Sequence, residues 1–233
     1  VYEEFRELTP PGDEGNRLVQ KLAERLVQAD LLARAAAILA HQTDYRLQGE
    51  EKARVAVRLG AIYLLDKNAR EAMKYLTSGR DLYAATLTGD AKINKLKEID
   101  LLRARALSQL NRTEEAIELL NGFDPSPEVN RLRADIAWQS GLWEDAAEAL
   151  NDLIIDQALD PARPLSEPQA DLILNYAVAL NLSGNRVTLN NTRARYEEPM
   201  KKTARAKLFD IVTRPRKTAI LADRETIESI VKE

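Results

Sequence analysis

The stretch VRLGAIYLLDKNAREAMKYL, Val57 to Leu76, reads as two amphipathic helices joined at Asp66-Lys67-Asn68, with a glycine in the middle of the first. Glycine costs a helix interior about 1 kcal/mol relative to alanine, so Gly60 needs a compensating reason. The reason emerges from recurrence. LLRARALSQLNRTEEAIELL (101–120) and RLRADIAWQSGLWEDAAEAL (131–150) overlay on the first stretch without gaps. Small residues coincide at Gly60, Ala104 and Ala134, and again at Ala72, Ala116 and Ala146, and a large apolar residue at Leu76, Leu120 and Leu150. A small residue in each helix of a hairpin lets the two backbones approach. The extra apolar surface buried between them, at about 25 cal/mol per Å², offsets the glycine penalty. Gly60→Leu is therefore expected to overpack the hairpin.

Outward from this core the chain keeps the same rhythm. Apolar residues recur at three- and four-residue spacing, as in Leu18, Leu22, Leu26 and Leu32, Ala35, Leu39, which is helical periodicity. No sustained two-residue alternation occurs, so little or no strand is expected. Asn111-Arg112-Thr113, Ser140-Gly141 and Ser183-Gly184-Asn185 punctuate the later hairpins, and connections this short force antiparallel neighbours. Thr113 is read as an N-cap. An earlier copy of the pattern runs through Leu22-Ala23 and Ala35, and a later one begins LNYAVALNLSGN with Ala177 at the small position and a degraded second helix. Between Thr77 and Glu98 lies an insertion in which Leu82, Tyr83 and Leu87 extend a helix and Thr88-Gly89-Asp90 reads as a turn before a long helix from Ala91. It is either a surface elaboration or a gap filler, and its apolar residues, which must be buried, favour the second. At the start, Pro10-Pro11-Gly12 blocks a continuous helix.

This pattern resembles the tetratricopeptide repeat family. Leu59-Gly60-Ile62-Tyr63 followed by Ala72 and Leu76 matches its two-helix motif best, and Trp143 falls where that family often places an aromatic. The spacings of 44 from Ala72 to Ala116 and 30 from Ala116 to Ala146 bracket the family's usual 34. The resemblance covers 13–198 and implies an all-α, right-handed superhelical solenoid of about four to five antiparallel helix pairs. Residues 1–12 then read as an N-terminal connector and 199–233 as basic C-terminal capping helices, the last being DRETIESIVKE with Asp223 as its N-cap.

The resemblance further implies a curved inner face built from the first helix of each pair. Its partner-binding candidates are Arg54, Val57, Leu64, Leu101, Arg105, Arg131, Asp135, Trp138 and Asn181. Trp138 stands out as a contact anchor, the alternative being that it packs between adjacent repeats. Family members that clamp a C-terminal carboxylate need polar groups where Val57 and Ala61 stand, which argues against that mode.

Composition excludes several classes. Hydrophobic residues are 45% and charged residues 30% of 233, so the chain reads as ordered and soluble. No apolar run approaches the roughly 20 residues of a membrane span. Starting at Val1, the chain is expected to be a fragment or processed form. Without cysteine, disulfides and thiolate chemistry are excluded, which leaves cytoplasm and periplasm both open. The single histidine, His41, is read as a helix C-terminal group. Glu114-Glu115 and Glu144-Asp145 sit at helix starts, where the dipole favours negative charge. No catalytic, cofactor or metal residues are assigned.

A basic segment remains. From 193 to 217 nine Lys/Arg face three acidic residues, a net of +6, leaving −9 on the rest of a chain of net charge −3. Arg193, Arg195, Lys201, Lys202, Arg205 and Lys207 form its candidate basic patch. Such asymmetry suits nucleic acid, acidic lipid or an acidic protein surface. Two aromatics, Tyr196 and Phe209, are too few for base stacking, which weighs against nucleic acid. The first expectation is thus a noncatalytic scaffold binding a protein or peptide. An anion-binding adaptor and a regulatory domain of a larger enzyme are the alternatives. Oligomeric state stays open.

Overall fold

The computed structural model describes residues 10, 12–160 and 163–214, and is all-α: among the described residues there are eleven helices and no strand. Asp223 and the final segment lie outside the described residues, as does nearly all of the expected connector. Helix α1 (Gly12–Gln28) starts just past the Pro-Pro break. It is followed by α2 (Leu32–Tyr45), α3 (Gly49–Leu65), α4 (Ala69–Thr86), α5 (Gly89–Gln109) and α6 (Thr113–Asn121). These make up one compact unit, Val1–Phe123. A second, Asp124–Glu233, holds α7 (Pro127–Gln139), α8 (Trp143–Asp156), α9 (Glu167–Leu182), α10 (Arg186–Met200) and α11 (Ala206–Thr213). Periodicity alone suggests one array across 13–198. The division between units falls where Pro125 and Pro127 interrupt the helices and Ser126 caps α7 by accepting from the Val129 N–H at 3.4 Å.

Five hairpins share one connection. Asp30, Lys67, Asn111, Gly141 and Gly184 take positive φ of 57, 59, 59, 70 and 79°. The residue after each donates its N–H to a carbonyl five positions back, at 2.8–3.0 Å. That is the Schellman closure, in which a left-handed residue reverses the chain after a helix. Glycine enters that conformation without strain at 141 and 184. The first of these turns carries no Gly, Pro or Asn, so turn chemistry does not mark it. Thr113 is not an N-cap: that position falls on Arg112, whose guanidinium spans the first turn to Glu115 at 2.6 and 2.5 Å.

Helices α3 and α4 run antiparallel in close contact, and both contact points are glycines. A Cβ at Gly60 would lie 2.5 Å from Leu76 Cγ, and one at Gly79 would lie 2.7 Å from Val57 Cγ2. Every small position of the overlay is buried, including Ala104, Ala116, Ala134, Ala146 and Ala177. Around α3 and α4 lie two apolar clusters. One joins Val19, Leu39, Leu59 and Tyr75 across α1–α4, and the other joins Leu76, Tyr83 and Ile99 across α4 and α5.

The insertion at 77–98 fills space with buried apolar residues and is not a surface elaboration. It lengthens α4 through Thr86 and starts α5 at Gly89, and its Leu82, Leu87 and Leu96 pack on the second cluster. The two long helices are pinned by Asp100, 4% exposed, which accepts from Arg80 at 2.8 Å and Arg103 at 2.7 Å. In the second unit α7 and α8 are joined by Arg133 to Glu148 (3.4 Å) and Asp152 (3.8 Å). The expected degraded helix is the regular α10. Its buried side chains, Leu189, Thr192, Tyr196 and Met200, keep helical spacing with a threonine in an apolar position.

Gly60→Leu is predicted to lower the melting temperature by about 3–10 °C. Overpacking a filled core costs about 1–3 kcal/mol, at 2–4 °C per kcal/mol for a chain this size. Gly122→Ala, where the nearest atom is 3.4 Å away, is expected to leave it unchanged. A thermal scan of both variants checks this.

Candidate functional sites

In the first unit the candidate residues rise from helices that lie side by side and parallel. The Gln20 amide on α1 donates to Glu51 at 3.3 Å and its oxygen accepts from Arg54 on α3 at 3.1 Å. One turn on, Arg58 meets Glu24 at 2.9 Å. Gln20–Arg54 and Glu24–Arg58 are each 34 residues apart. Helix α5 continues beside α3, with Gln109 Nε2 donating to the Leu64 carbonyl at 3.2 Å across 45 residues. The longer step reflects the extended α4 and α5.

Arg54 is exposed, Val57 half-buried and Arg105 exposed, on α3 and α5. Leu64 and Leu101 are different. They are 7% and 4% exposed and are taken up by packing, so neither offers a surface to a partner; an apolar face turned into the core is indistinguishable in sequence from one turned into a groove. In the second unit Arg131, Asp135 and Trp138 follow one another along one face of α7, the first two exposed and the third half-buried. Trp138 stands edge-on to Trp143, centroids 5.4 Å apart, so it packs within its own hairpin. Asn181 is engaged, its amide donating to the Val212 carbonyl at 2.6 Å. With Arg205 bonded to Asp171, this sets α11 beside α9, parallel and in the same sense as α3 beside α1.

The basic patch does not present one surface. Arg193 is half-buried and bonds Asp210 (2.8 Å), Glu197 (3.1 Å) and Thr213 (3.1 Å). Arg205 is taken by Asp171 and Lys201 by Glu198. Arg195 lies over the Tyr196 ring, 5.2 Å from its centroid. Lys202 and Lys207 are exposed and carry no ion pair among the described residues. His41 sits one turn inside the end of α2, its ring 5.1 Å from Tyr45. Among the described residues no group of three or more His, Cys, Asp or Glu is placed to hold a metal ion, and no helix is long and apolar enough to cross a membrane.

A groove the sequence did not reveal lies between α8 and α10, floored by Tyr176 of α9. Burial pushes the Tyr176 hydroxyl pKa up, against a hydrogen bond with Thr192 that lowers it, and burial raises that of Tyr196. Its walls come from separate hairpins that share no motif, so no local pattern marks it. The chain matches no protein-family model, and no curated protein matches it.

Hydrogen bonds from Arg214 and then Arg193 hold the Asp210 carboxyl below its ordinary value. A depressed carboxyl contributes stability that is present above the unfolded-state pKa and lost as pH falls through the folded value. Packing of α11 on α10 is therefore predicted to loosen as pH drops below about 4. Asp210→Asn should flatten that acid limb while lowering stability at pH 7. Chemical-denaturation midpoints between pH 3 and 7 for both proteins check it.

Proposed function

We propose that the chain is a tetratricopeptide-like solenoid of four to five helix pairs that serves as a noncatalytic protein-interaction scaffold. The observation carrying this reading is the parallel placement of α1 and α3, bridged twice by side chains 34 residues apart. A step of 34 residues is the length of one helix pair in that family. Repetition of that step lines first helices along a common face, and α11 standing beside α9 in the position of a further first helix fits a terminal cap.

On this reading the partner is a protein segment bearing acidic residues. Arg105 and Arg131 are exposed and form no ion pair among the described residues, so each is available to a carboxylate. Arg54 and Val57 extend the surface in the first unit, and Trp138 supplies an aromatic edge in the second. Leu64 and Leu101 act from within, by fixing the helices that carry the arginines. The basic segment is a weaker candidate because Arg193, Lys201 and Arg205 already face carboxylates.

Affinity capture with the intact chain, followed by titration of the recovered partner, tests the assignment. Arg105→Glu in the first unit and Arg131→Glu in the second are made separately; the one on the face that holds the partner should weaken binding about tenfold or more, and Lys202→Glu/Lys207→Glu should leave it unchanged. The reverse outcome would move the site to the basic segment.

A further inference from the structure

The groove between α8 and α10 is separate from the first-helix face. Two adjoining cavities of about 360 Å³ each run along it and share Asn151, Tyr176 and Thr188. One lies between the beginnings of α8 and α10, by Glu144 and Asn185, and the other near their ends, by Ile155 and Arg195. The two walls therefore run parallel for about eleven residues, or roughly 16 Å. Five residues of extended chain cover the same distance at about 3.3 Å each.

Its chemistry is that of a backbone reader with charged ends. The side-chain amides of Asn151 and Asn191 take no hydrogen bond among the described residues, and each offers two donors and an acceptor. An extended peptide presents alternating N–H and C=O groups that such amides can match. Tyr196, 2% exposed, lines the cavity, and its buried hydroxyl has no partner among the described residues. A native fold rarely leaves such a group unmatched. Arg195, exposed and without an ion pair among the described residues, stands at one end, with Glu144 at the other; Glu148, beside it, is paired with Arg133. On the rim, Ile155 is 65% exposed. A small carboxylate would leave the amides unused.

We infer that this groove binds an extended peptide segment of about five residues from a partner protein, with a carboxylate at Arg195 and a basic group over Glu144. The Asn151 and Asn191 amides bond its backbone, and the Tyr196 hydroxyl donates to an oxygen at the carboxylate end.

The test is selection of a displayed random heptapeptide library on the full chain, with the recovered peptides synthesised and titrated by fluorescence anisotropy. Each is made with a free C-terminal carboxylate and with a C-terminal amide. Expected are peptides acidic at one end and basic at the other. Arg195→Glu should weaken them at least about tenfold and Tyr196→Phe several-fold, while Arg105→Glu/Arg131→Glu leaves them unchanged. Tyr196→Phe should melt no lower than the wild type, because it removes an unpartnered buried hydroxyl. Loss of binding on amidation assigns the carboxylate to a chain terminus, and its retention assigns it to a side chain. A selection that yields no binder, or peptides held equally by wild type and Arg195→Glu, overturns the inference. So do peptides that respond only to Arg105 and Arg131; they would instead support the first-helix face.

Discussion

The close approach of α3 and α4 is the constraint from which the first unit is built. Gly60 lies against Leu76 and Ala72, and Gly79 against Val57 and Ala53, so each helix offers a missing side chain to the other. Two glycines cost the helices about 2 kcal/mol in propensity. Full burial of Leu59 and Leu76, at about 1.5–3 kcal/mol each, exceeds that. Because the hairpin is tight, Tyr75 reaches Asp44 on α2 at 3.0 Å and stacks on Tyr63 at 5.8 Å. The hairpin thereby ties its neighbour as well as itself.

Charge performs two different tasks along the chain. Where one member of a pair is buried it locks a helix pair, as Asp100 does with Arg80 and Arg103 and as Arg133 does with Glu148 and Asp152. Burial raises the Asp152 pKa even though Arg133 lowers it, a sign that desolvation there outweighs the pairing. Exposed pairs such as Lys201–Glu198 contribute little to stability. They still determine which cations remain for a partner. The cations of the last hairpin are mostly matched by carboxylates close at hand, whereas single arginines on α5, α7 and α10 stay open.

Most of the helical plan was legible in the chain itself. Small residues at Gly60, Ala72, Ala104 and Ala116, and turns at Asp66-Lys67-Asn68 and Ser140-Gly141, mark contacts and reversals that are local in sequence. The turn at Asp30 was not visible because an exposed aspartate takes the left-handed conformation there, closed by local backbone hydrogen bonds, with no glycine to mark it. Helix α10 looked degraded because Thr192 is buried with its hydroxyl bonded to the Thr188 carbonyl at 2.8 Å, which hides a polar residue inside an apolar stripe.

Sequence by itself determined that the chain is a run of helical hairpins and where most of them close, since periodicity and turn chemistry act over a few residues. Only the tertiary structure decided which apolar residues face a neighbour and which face water. It buried Leu64 and Leu101, committed Asn181 and Arg193 to holding α11, and opened a groove between α8 and α10. Those outcomes depend on separate helices being brought side by side, and no local pattern encodes the surfaces such meetings consume or leave free.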